Sequence, residues 1–203
     1  MVRRRGGLAY DPGVEPTPTP AVATALDRLL PTYDVRALVA HATPATVERV
    51  AGAIRQTRLP DAPVAFALEA VRHLGRLTRF HEPFSEPSAF EPGGVTVVDE
   101  PLEIVHAFRG QPWPGGVGVI HQPDRQAVLR EGDPTIVRAL LSIRCAAAPY
   151  GTLLVAETRV AWGARAKEPF LGFWEFAQYG STQVRRSMLA AIARRAERSA
   201  TGS

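Results

Sequence analysis

The sequence predicts an α+β fold, in which a curved antiparallel sheet wraps a long C-terminal helix and two short helices follow the first strand. Three observations carry this expectation. Apolar residues recur at three- and four-residue steps across residues 167–198, the pattern of one long amphipathic helix. Between residues 95 and 162 the period falls to two, the pattern of strands. Ahead of that run stand one alternating stretch and two stretches of helical period.

The elements follow in order. Residues 1–30 read as a disordered or extended tail, because Glu15-Pro16-Thr17-Pro18-Thr19-Pro20 favours polyproline-like backbone and buries nothing. Within it, residues 21–30 allow a short helix or a lead-in. One folded domain is expected over 31–199. Residues 33–41 alternate and predict a strand. Thr43-Pro44 then predicts a helix start, with Thr as the N-cap and Pro in the first turn, and Val47, Val50, Ala51 and Ile54 turned to the core. After the turn Leu59-Pro60-Asp61-Ala62-Pro63, a second helix carries Val64, Ala67, Leu68, Val71, Leu74 and Leu77 on one side, with His73 beside that stripe.

Residues 80–94 have no period and read as a loop, whose Phe80, Phe84 and Phe90 could form a hydrophobic lid. Residues 95–98 predict a short strand. In the next one Leu102, Ile104, His106 and Phe108 share a face. Pro112-Trp113-Pro114-Gly115-Gly116 is a loop whose indole needs cover, residues 117–120 suit another strand, and 123–134 form a polar connection with room for a helical turn. Residues 136–147 and 152–162 make a hairpin around Ala148-Pro149-Tyr150-Gly151, with Pro and Gly where a type I turn takes them. The preferred register puts Leu141, Ile143, Cys145, Leu154, Ala156, Thr158 and Val160 inside. Arg144, Glu157 and Arg159 then lie outside as surface cross-strand pairs, whereas a one-residue slip would reverse every one of them.

In the last helix Phe170, Phe173, Trp174, Ala177, Ser181, Val184, Met188, Ala191 and Ile192 form the apolar face. Gly180 and Ser181 interrupt it halfway. A mid-helix glycine costs about 1 kcal/mol relative to alanine, so small residues here imply room beside the helix: a cavity, close backbone packing or a kink. Arg185, Arg186, Arg194, Arg195 and Arg198 make the helix end basic, as the helix dipole favours.

Composition bounds the chemistry. The 203 residues carry a net charge of +4, too little to indicate a nucleic-acid partner. The single cysteine, Cys145, sits in an apolar run and reads as a buried small hydrophobe. No stretch reaches the roughly 18 apolar residues of a membrane span, and no apolar segment follows Arg3-Arg4-Arg5 as it would in a signal peptide. A cytoplasmic protein without integral membrane contact is expected. Its histidines, His41, His73, His81, His106 and His121, are scattered without metal-ligand spacing, and Gly115-Gly116-Val117-Gly118 lacks the Lys-Ser/Thr of a phosphate loop. No metal or cofactor is expected. His106, flanked on its face by Ile104 and Phe108, is the best acid/base candidate, since an imidazole among apolar groups has a lowered pKa; the other reading is a hydrogen-bonded core or rim histidine.

Three stretches resemble the START-like (polyketide cyclase, helix-grip) superfamily. Residues 42–50 (Ala-Thr-Pro-Ala-Thr-Val-Glu-Arg-Val) are similar to its first strand–helix junction, and 151–160 (Gly-Thr-Leu-Leu-Val-Ala-Glu-Thr-Arg-Val) to the hairpin entering its last strand. Phe173-Trp174, Gly180-Ser181 and residues 184–189 are similar to the terminal helix of a bacterial branch. Members bind lipids, sterols, polyketides or plant hormones, and some catalyse cyclisation, dehydration or hydrolysis; the Cys-His pairs of the iron–sulfur members are absent here. The resemblance implies a lipid-like or aromatic hydrophobic ligand in an internal apolar cavity, with His106, Phe108, Ile143, Phe170, Trp174, Ser181, Val184 and Met188 as its lining. A homodimer is compatible with this reading. The alternatives are a cyclase- or dehydratase-type enzyme acting on a polyketide-like substrate, and a protein-interaction module using the basic helix end and the proline-rich tail. The sequence leaves open whether the protein is an enzyme.

Overall fold

A computed structural model describes residues 23–72 and 81–198 of the chain. The elements are α1 (Ala25–Leu29), β1 (Val35–Thr43), α2 (Val47–Gln56), α3 (Pro63–Arg72), β2 (Val95–Glu100), β3 (Glu103–Gln111), β4 (Gly118–Val119), α4 (Arg125–Leu129), β5 (Val137–Ala148), β6 (Gly151–Trp162) and α5 (Lys167–Arg198). The sheet is antiparallel throughout, in the order β1-β6-β5-β3-β2, with β4 paired to β3. It curves around α5, the helix-grip arrangement. Among the described helices none is long and apolar enough to cross a membrane.

The last hairpin has the preferred register. Ile143 pairs with Ala156, Cys145 with Leu154 and Leu141 with Thr158, so the apolar set faces α5 as one surface. The connection is only Pro149-Tyr150, closed by the Ala148–Gly151 pair. Gly151 has φ +137, and a Cβ there would stand 2.2 Å from the Thr43 carbonyl oxygen, so only glycine fits between the hairpin and the end of β1.

The opposite side of the sheet corrects the sequence reading. Glu157 and Arg159 do turn away from α5, but they are not on the surface. Glu157 is fully buried and Arg159 is 5% exposed. Ala25, Leu26, Leu30 and Val128, brought by α1, its C-cap and α4, join Val97, Val105, Ala107 and Leu140 in a second apolar core on that face. The final residues of the expected tail are therefore folded. Thr24 caps α1 through a reciprocal bond with Asp27, and Ala25 and Leu26 are buried.

A second correction concerns α2, which starts at Val47, three residues after the predicted point. Thr43 stays in β1 opposite Thr152, and its hydroxyl donates to Glu197 Oε1 at 2.6 Å instead of capping a helix. Leu74, Leu77 and His73 of the predicted second helix, Phe80 of the predicted lid and the proline-rich tail lie outside the described residues.

Candidate functional site

α5 is one continuous helix of 32 residues that rests on the sheet side at its two ends. Near its start Phe170 stacks on Trp174 at 5.7 Å and packs against Phe173 and Trp162, filling the space over Val137 and Val160. Toward its end Met188, Leu189 and Ile192 are buried with Val50 and Ile54 of α2 and with Ile143 and Leu154 of the sheet. Between these supports the residues facing inward are, apart from Arg185, small or short: Ala177, Gly180, Ser181 and Val184. The gap left under them is a largely apolar cavity of about 490 Å³.

Its walls come from every layer. The strands supply Phe108, Ala139, Leu141 and Thr158; α3 supplies Leu68 and Glu69; the loops supply Leu59, Phe84, Ala89, Phe90 and Glu91. Along α5 the lining runs from Phe173 and Trp174 through Phe176 to Val184 and Arg185. Phe176 is 84% exposed and stands at the rim. Phe84 and Phe90, two of the three phenylalanines of the possible lid, line the cavity and stack on each other with ring centroids 5.7 Å apart. The structure thus brings Phe108, Trp174, Ser181 and Val184 of the expected set around one cavity.

The other four lie elsewhere. Ile143 and Met188 have no solvent exposure and belong to the core that supports the end of α5. Phe170 belongs to the aromatic support at its start. His106 is on the expected face of β3, but Phe84 and Phe90 separate it from the cavity. Nε2 lies 3.0 Å from the Phe84 carbonyl oxygen, Nδ1 lies 3.2 Å from Thr96 Oγ1, and the Phe90 ring is 5.5 Å away. Burial lowers its pKa to about 4, against the raising effect of the Phe84 carbonyl. Both ring nitrogens are engaged with protein, which matches the reading of His106 as a hydrogen-bonded core histidine and gives the acid/base reading no support. Among the described residues no group of three or more His, Cys, Asp or Glu is placed to hold a metal ion.

The residue that sequence reasoning missed is Arg185. The sequence places it with the arginines that make the helix end basic, yet it is 5% exposed and lines the cavity. Its Nη1 donates to Ser181 Oγ at 2.9 Å, one helical turn back, and to Thr158 Oγ1 at 3.1 Å on β6. Nε and Nη2 are buried without a hydrogen-bond partner. Burial alone lowers the guanidinium's pKa, to about 10, which leaves it charged at neutral pH. The signal was in the spacing. Arg185 follows Ser181 by four and precedes Met188 by three, which places it on the apolar stripe.

No family model matches the chain, and no curated protein does. Solved structures similar to it include a protein of Mesorhizobium loti, at 11% identity and a TM-score of 0.40, covering 79% of this chain and 98% of that one. Another is the di-domain ARO/CYC StfQ from the steffimycin biosynthetic pathway, at 10% identity and a TM-score of 0.38; the match covers 82% of this chain and 52% of that one, about half its length. CalU16 from Micromonospora echinospora is similar at 16% identity and a TM-score of 0.29, over 82% of this chain and 86% of that one. At such identities and scores, the use of the cavity has to be read from its own residues.

Proposed function

We propose that this protein binds a hydrophobic small molecule in the cavity between α5 and the sheet. The observation that carries the reading is the unfilled space of about 490 Å³ beneath Gly180 and Ser181, between two well-packed supports. Its size falls in the range of about 300–1,000 Å³ usual for small-molecule pockets, and its walls are apolar with few polar groups, as such pockets are. Binding would draw mainly on apolar burial, at about 25 cal/mol per Å² before the cost of association.

Native mass spectrometry of the purified protein tests this, together with titration of 1-aminoanthracene, a neutral fluorophore that brightens in apolar surroundings. A retained apolar adduct, or saturable fluorescence abolished by Gly180→Phe, is the expected result. Absence of both an adduct and saturable binding would refute the reading.

A further inference from the structure

We propose that the ligand is an apolar monocarboxylic acid, whose carboxylate docks on the Nε–Nη2 edge of Arg185. This inference rests on the cavity being a ligand site, as proposed above. Burying a cation without a counter-charge is among the costlier things a fold can do, and here the structure gives Arg185 only two neutral hydroxyls, Thr158 and Ser181, both on Nη1. Those two bonds orient the guanidinium through Nη1, while its Nε–Nη2 edge is closed off from solvent and has no partner; Arg185 is among the residues that line the cavity. That edge presents two roughly parallel N–H donors, the pair that matches the two oxygens of a carboxylate.

The rest of the wall narrows the class. Arg185 is the one cation among the described lining residues, and the two acidic ones, Glu69 and Glu91, have partners of their own and are not bonded to it. One positive charge balances a monoanion. A dianion such as a phosphate monoester would bring an uncompensated charge into apolar surroundings. Phe108, Trp174 and Val184 leave the remainder of the ligand to be hydrocarbon or aromatic.

The experiment is displacement of 1-aminoanthracene from the full chain by decanoate, 1-decanol and decyl phosphate, and by 2-naphthoate and 2-naphthalenemethanol for an aromatic shape. Each acid is expected to bind at least about 100-fold more tightly than its alcohol, because the alcohol leaves a buried charge unpaired. Decyl phosphate is expected to bind more weakly than decanoate. Arg185→Met, which replaces the charge with a side chain of similar length, is expected to abolish the preference for acids while retaining the fluorophore. Arg185→Gln serves as a second variant with the same expectation. Equal affinity of acids and alcohols for the wild-type protein overturns this inference and leaves the hydrophobic-ligand reading standing, as does a preference for acids that survives both substitutions. Failure of the fluorophore and every competitor to bind overturns both.

Discussion

Arg159 Nε lies 2.9 Å from Glu157 Oε1, a contact between residues two apart on the same strand and the same face of β6. Arg36 reaches the same carboxylate from β1 at 2.8 Å, and Arg144 reaches it from β5 at 2.9 Å. Arg159 also donates to Asp27 Oδ1 at 2.7 Å, tying α1 down over the group. Removing the one buried anion from this cluster takes the carboxylate from Arg36 and Arg144 and leaves Arg159 with Asp27 alone, so Glu157→Leu is expected to cost about 3–5 kcal/mol. Adding Arg159→Met should recover a substantial part of that loss. Urea unfolding of the two single variants and the double variant measures it.

Acid is expected to act in two stages. The His106 pKa is about 4 in the folded chain against 6.5 ordinarily. Between those values the unfolded chain binds the proton and the folded one does not, so stability falls as pH drops from 6.5 to 4, by about 3 kcal/mol in all. The carboxylates act lower. Burial pushes the Glu157 pKa up, but the bonds from Arg36, Arg159 and Arg144 outweigh it and hold the value below its ordinary 4.5. Bonds from Arg159 and Thr24 hold Asp27 at about 2. Their contribution is present above the ordinary carboxylate range and disappears as pH falls through the lowered values. His106→Gln should flatten the first stage and leave the second, as read from unfolding free energies at pH 7, 5 and 3.5.

Gly180→Ala is expected to raise stability by about 1 kcal/mol, since a Cβ there meets nothing within 4 Å and alanine is the better helix former. Gly172→Ala has the same open surroundings and is expected to stabilise similarly. Gly180 lines the cavity and Gly172 does not, so only the first should change fluorophore affinity. Thermal unfolding and the binding titration separate the two effects.

Cys145 is expected to be inert in the native protein. It is 4% exposed, and burial raises its pKa to about 11, so it has neither access nor thiolate character at neutral pH. Reaction with an aromatic disulfide reagent should proceed only at the rate of unfolding, and at once in denaturant.

Local pattern carried much of the architecture. The bounds of α5 and the faces of the β5–β6 hairpin followed from periodicity, because a buried stripe on a helix or strand leaves a strict repeat. What pattern cannot give is what lies above a face. Glu157 and Arg159 were legible as turned away from α5, but α1 covers them with only five residues, too few to leave a periodic signature. The same limit applies to the site. The Gly180–Ser181 interruption marked the cavity's position, and Trp174 and Val184 flank it on the same stripe. Ile143, Phe170 and Met188 share those stripes, yet they are consumed in the packing that holds α5 at its ends, a partition decided by tertiary contacts alone.

A rod carried on two piers keeps its clear span whether or not anything passes beneath. Phe170 with Trp174 at one pier and Met188 with Ile192 at the other hold the opening by hydrocarbon contact that needs no guest. The vacant and occupied forms should therefore share one backbone shape, and the intrinsic affinity should be realised without waiting for a minor conformer to appear. Entry past Phe176 would then set how quickly the guest arrives, and side-chain motion at that doorway would be the slowest event.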